Sequence, residues 1–86
     1  MPKEVDYSHQ GLAKLMLKIP ALRGQLQILS RRDPDVLELC AAYGEASVTL
    51  ERLLREDSST NFEKIGEYRN ICDEIENDII SLCAAE

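Results

Sequence analysis

The stretch Arg31-Arg32-Asp33-Pro34-Asp35 decides how this chain is divided. Asp33 carries a short carboxylate able to accept from the free N–H groups that open a helix, the N-cap role. Pro34 has no N–H to lose and a φ already set for the first helical position. Asp35 adds negative charge where the helix dipole is positive. A helix is therefore expected to start at 34, with a separate segment ending near 31. Beyond the cap, Val36, Leu39, Tyr43, Ala46, Leu50 and Leu53 recur at alternating steps of three and four, which is one face of a helix. The pattern runs out in Glu56-Asp57-Ser58-Ser59, so this helix is expected over 34–56.

On the C-terminal side, Thr60-Asn61-Phe62-Glu63 has the form of a capping box, with Thr60 as N-cap and Glu63 reaching back. Phe62, Ile65, Tyr68, Cys72, Ile75, Ile79 and Leu82 continue the three-four spacing, giving a helix over 61–84. On the N-terminal side, Ser8 is the expected cap, and Leu12, Leu15, Ile19, Leu22, Leu26 and Leu29 keep the same spacing over 8–31. Pro20 and Gly24 interrupt that segment. An interior proline removes a backbone hydrogen bond and costs about 3 kcal/mol, so the helix is kinked or broken near Pro20, and the unbroken stripe favours a kink.

These three segments and their short joints predict an all-α, up-down-up three-helix bundle occupying 1–86 as one domain. In that register Leu29 faces Val36, Leu15 faces Leu50 and Leu12 faces Leu53. In the second hairpin Leu53 meets Phe62, Tyr43 meets Cys72 and Val36 meets Ile79. The 86 residues leave no room for a second core, and 44% hydrophobic content excludes wholesale disorder. Aromatic residues are few and Trp is absent, so Leu, Ile, Val and Ala must build the core.

A second apolar pattern lies outside these core stripes. Leu17, Ala21, Gly24 and Ile28 are spaced four, three and four on roughly the opposite side of the first segment. Leu37, Ala41, Gly44 and Val48 repeat the pattern twenty residues later. A helix apolar on two opposite sides is normally covered on both. Ala and Gly allow helices to approach closely, which suits another helix better than a small-molecule pocket. The plainer alternative is that a wide Ala-rich stripe faces the third helix. The eight residues are the candidate interface, and they predict a homodimer or a partner helical protein.

Charge is unevenly distributed. Residues 1–32 carry six Lys/Arg against two acids, and residues 33–86 carry four against fourteen, leaving −6 overall. Lys14, Lys18, Arg23, Arg31 and Arg32 form the basic group. The acidic majority and the lack of interleaved aromatics argue against a dedicated nucleic-acid binder. A nucleic-acid-associated regulator using the first helix is the alternative function.

No constellation for catalysis, cofactor or metal stands out, and none is expected. Cys40, Cys72 and Cys83 form no CxxC pair, and with the remote His9 they lack the tight ligand pairs of a zinc site. They read as reduced core thiols, and a thiol-dependent enzyme is the second alternative. Asp73, Glu74, Glu76 and Asp78 lie on a helical stretch without the turn glycine of a calcium loop, so they read as a solvated face. Gly11, Gly24, Gly44 and Gly66 are scattered singly and make no phosphate loop. No apolar run approaches a membrane span, and no signal peptide opens the chain, so the cytoplasm is expected. The resulting expectation is a non-enzymatic helical adaptor, regulator or subunit acting by protein–protein interaction.

Overall fold

The computed structural model describes residues 6–56 and 61–85. They form four α-helices: α1 Ser8–Lys18, α2 Arg23–Arg32, α3 Pro34–Arg55 and α4 Phe62–Ala84, with a short 3₁₀ turn over Pro20–Leu22. The described residues contain no strand.

Of the kink or break expected near Pro20, the structure has the break, which makes two helices of the first segment where the spacing favoured one kinked helix. Ile19 leaves the helical region at φ −126°, ψ 71°, and Pro20 starts the 3₁₀ turn, where its missing N–H costs nothing. The residue before a proline is disfavoured in the α region, which accounts for Ile19. The chain then folds back: His9, Leu12 and Met16 of α1 and Gln27, Ser30 and Arg31 of α2 line one depression.

The break also changes how α1 meets α3. Asp6 and Ser8 share a depression with Pro34, Leu37, Glu38 and Ala41 at the start of α3, while Lys14 pairs with Glu51 in its second half. The helices α1 and α3 therefore run in the same general sense. The antiparallel register that set Leu12 against Leu53 and Leu15 against Leu50 gives way to this arrangement. Its cause is the extra reversal at Pro20, which the unbroken three-four stripe concealed.

Two glycines set the crossing. A Cβ on Gly11 would fall 2.7 Å from the Cys40 carbonyl carbon, closer still to its oxygen, and 2.8 Å from the Gly44 nitrogen. One on Gly44 would fall 2.5 Å from the Tyr7 carbonyl oxygen and 2.9 Å from the Gly11 nitrogen. The two backbones touch here, and only hydrogen at both positions permits it.

Caps fix the helix starts. Asp33 Oδ1 accepts from the Asp35 N–H at 3.0 Å, with Pro34 in the first turn. At α1 the N-cap position falls on Tyr7 rather than Ser8 and makes no side-chain cap bond; Asp6 Oδ1 accepts from the Ser8 N–H at 2.9 Å, and the Ser8 side chain first, then this N–H, hold the Asp6 carboxyl below its ordinary value. Ser8 is instead a buried residue of the first turn. Thr60, the expected cap of α4, lies outside the described residues. Asn61 precedes α4 without a side-chain cap and donates from Nδ2 to Glu56 Oε1 at 3.0 Å.

The core joins all four helices. Leu15 of α1, Leu26 of α2, Val36 and Cys40 of α3, and Ile79 and Cys83 of α4 are fully buried, with Tyr43, Ala46, Cys72 and Ile75 around them. Gln25 of α2 donates from Nε2 to the Cys83 carbonyl at 3.2 Å, tying the start of α2 to the end of α4.

Candidate functional site

The eight residues of the double apolar pattern divide sharply. Leu17 is 81% exposed and Ile28 55% exposed, and Ala21 and Gly24 are exposed as well. A Cβ on Gly24 would meet nothing within 4 Å. The break at Pro20 distributes them over α1, the 3₁₀ turn and α2, so they do not form a single helical row. On α2, Gly24 and Ile28 lie opposite the buried Leu26 and Leu29, one helical turn apart.

The second set is placed differently. Gly44 is buried beneath α1 of its own chain, which corrects its assignment to an outward face. Ala41 and Val48 are half-buried, and Leu37 is at the edge of exposure. The fold-back at Pro20 lays α1 over this side of α3. Gly11, which makes the same close contact, was not singled out for packing. The available signal was the cost of a lone interior glycine, about 1 kcal/mol against alanine, which calls for a compensating contact.

A groove runs along α3 between the end of α1 and α4. Tyr43, Ser47, Leu50 and Leu54 supply α3's side, Lys18 comes from α1, and Arg69, Cys72 and Glu76 from α4. Its polar centre is the Tyr43 hydroxyl, which donates to Glu76 Oε2 at 2.6 Å, while Lys18 Nζ stands 3.7 Å from the same oxygen. Burial, and then the bond to the Glu76 carboxylate, push the Tyr43 phenol well above its ordinary value. Lys14 Nζ bonds Glu51 Oε2 at 2.8 Å beside the groove and lowers the Glu51 carboxyl. Leu54, 51% exposed, forms one lip.

The thiols are buried in the core. Burial raises Cys40, with the Cys83 thiol adding to the effect, and burial followed by the Glu76 and Asp73 charges raises Cys72. A raised thiol is the reverse of an activated nucleophile, because the thiolate is the reactive form. Among the described residues no group of His, Cys, Asp and Glu side chains is arranged to hold a metal ion. Asp73, Glu74 and Asp78 are exposed, and only Glu76 turns inward to Tyr43 and Lys18. His9 is exposed on α1, next to Leu12 and Arg31. Among the described residues no helix is long and apolar enough to cross a membrane.

Comparison of the chain with protein-family models, with curated proteins and with solved structures finds no match.

Proposed function

We propose that the protein is a non-enzymatic helical docking protein that pairs with a second copy of itself through the outer face of its N-terminal helices. The observation that carries this reading is the exposure of Ile28 beside Gly24 on α2. A large aliphatic side chain stands in solvent next to a position with no side-chain bulk, on the side of the helix facing away from the core. Helix axes normally sit 8–10 Å apart, and small residues let a second helix come nearer. Area removed from water there is worth about 25 cal/mol per Å².

The test is solution mass by light scattering at high micromolar concentration. Wild type should run at twice its 9.7 kDa chain mass. Ile28→Glu and Ala21→Glu, both at exposed positions, should run at the single-chain mass with unchanged far-UV circular dichroism. A wild type that is monomeric throughout refutes the reading.

A further inference from the structure

The outer face of α2 carries more than an exposed isoleucine. Gly24, Ile28 and Arg31 lie at steps of four and three, with Arg32 one turn beyond Ile28. No acidic residue occurs between Tyr7 and Arg32. Among the described residues Arg23, Arg31 and Arg32 have no ion-pair partner within 4.0 Å. The face is apolar at Ile28 and cationic at Arg31 and Arg32, with the neutral Gln25 and Gln27 alongside.

The α4 helix offers the counterpart. Its core side is Cys72, Ile75, Ile79 and Cys83, and Glu76 turns to Lys18 of α1. At 100° per residue, Glu67, Ile71, Glu74, Asp78 and Leu82 fall together on the side away from Glu76. All five are exposed, Ile71 at 40%. Glu67, Glu74 and Asp78 likewise have no ion-pair partner among the described residues. This face is also apolar at its centre, and it is flanked by acids.

The two faces match in spacing as well as sign. Gly24, Ile28 and Arg31 repeat the four-three steps of Glu67, Ile71 and Glu74. Seating Ile28 on Ile71 with the helices parallel brings Arg31 level with Glu74. Seating it antiparallel brings Arg32 level with Glu67. Gly24 removes the bulk that would hold the backbones apart. Both faces belong to every copy of the chain, so a two-fold axis forms the contact twice, α2 on α4 and α4 on α2.

From this complementarity we infer that α4's outer flank, Glu67-Ile71-Glu74, is the surface on a second copy that receives α2. The inference rests on the self-pairing proposed above and adds the receiving face. Opposite charges around an apolar seam speed encounter and fix register, and salt screens them.

Charge reversal by complementation tests it. The variant Arg31→Glu/Arg32→Glu and the variant Glu67→Arg/Glu74→Arg each set like charges against each other at both contacts. Each should weaken self-pairing about tenfold or more and run at the single-chain mass at a concentration where wild type is paired. Mixed in equal amounts, the two variants restore opposite charge at both contacts, so the mixture should return to twice the chain mass. Every substituted residue is exposed, and circular dichroism checks that each variant is folded. If wild type pairs and Ile28→Glu abolishes pairing, but Glu67→Arg/Glu74→Arg stays paired or the mixture stays monomeric, the α4 assignment is overturned and self-pairing through α2 stands. A monomeric wild type overturns both. If that monomer binds duplex DNA with steep salt dependence, and Arg31→Glu/Arg32→Glu abolishes binding, the cations serve phosphate instead.

Discussion

Replacing Gly11 by Ala tests the crossing on which the N-terminal half of the fold depends. The new methyl would be placed 2.7 Å from the Cys40 carbonyl carbon, nearer to its oxygen, and 2.8 Å from the Gly44 nitrogen. All of these are backbone atoms in the interior of α3, so no side chain can rotate away. The helices would have to separate by an ångström or so. Overpacking costs about 1–3 kcal/mol, and a clash with helical backbone belongs at the top of that range. Alanine in a helix recovers about 1 kcal/mol over glycine. The expected net loss is therefore about 2 kcal/mol, and for a domain of this size each kcal/mol lowers Tm by about 4–8 °C. Thermal melts followed by circular dichroism should show Gly11→Ala lower by about 8–16 °C. Gly66→Ala supplies the control, because Gly66 is exposed within α4, outside the proposed pairing faces, and its Cβ meets nothing within 4 Å. It gains the propensity term alone and should raise stability by about 0.5–1 kcal/mol. If Gly11→Ala melts at or above the wild-type temperature, α1 and α3 do not cross at these glycines.

Other consequences can be read in the same way. Tyr43→Phe removes the 2.6 Å bond to Glu76 and should cost about 1–2 kcal/mol in urea unfolding; an unchanged midpoint would mean the bond adds nothing. The folded-state phenol lies above the unfolded value of 10.0, so Tyr43's contribution is complete below pH 10 and is lost as pH rises beyond it. The Phe variant should show a shallower alkaline decline, and equal declines would count against the burial of that phenol. Cys40 and Cys72 should resist alkylation in the native state and react on unfolding, and rapid labelling of folded Cys72 would contradict its place in the core. Cys72→Ala should cost about 1 kcal/mol or more in the same unfolding assay. Asp33→Ala removes the cap of α3 and should cost about 1 kcal/mol, with no loss expected if another group satisfies the Asp35 N–H.

What was legible in the sequence follows from how local its cause is. The start of α3 is set by three adjacent residues, Asp33, Pro34 and Asp35, whose effects act within one turn, and the helix begins at Pro34. The core stripes were legible because burial imposes a period on apolar residues whichever neighbour covers them. The same indifference explains what was missed. Leu12, Leu15, Ile19, Leu22, Leu26 and Leu29 keep one spacing through Pro20 because both arms of the fold-back face a common core. The stripe therefore could not distinguish a kinked helix from two helices. The Gly11–Gly44 contact is hard to read for a different reason: it joins residues far apart in sequence, and its one local sign is the cost of a glycine inside a helix, which does not say what the glycine meets. At the start of α1 the cap expected at Ser8 falls one residue earlier, at Tyr7, and the Asp6 carboxylate makes the bond to the Ser8 N–H.

The break at Pro20 also accounts for the shape of the groove. The helix α1 has 11 residues and α3 has 22, so at 1.5 Å per residue α1 covers about 16 Å of a helix about 33 Å long. The crossing at Gly44 places that cover over the first part of α3, with Lys14 reaching Glu51 as its furthest pair. Had the first segment continued past Lys18 in the same direction, it would have lain along Leu50 and Leu54. Instead the chain turns back to pack Leu26 and Leu29 into the core, and Leu54 is left at a groove lip. Pro20→Ala separates the two contributions to that turn. The substitution restores a backbone N–H and relieves Ile19 of its restriction, so α1 gains local propensity to continue. The 3₁₀ turn is nonetheless held by Leu26 and Leu29, whose burial is worth about 1.5–3 kcal/mol each. That exceeds what one alanine in an exposed turn supplies, so the variant should keep its fold-back. Leu12 and Met16 of α1 share a depression with Gln27 and Ser30 of α2 only if the chain folds back, so nuclear Overhauser contacts between the two groups report on the reversal directly. Contacts that persist in Pro20→Ala mean the core dictates the reversal, and contacts that disappear assign it to the proline.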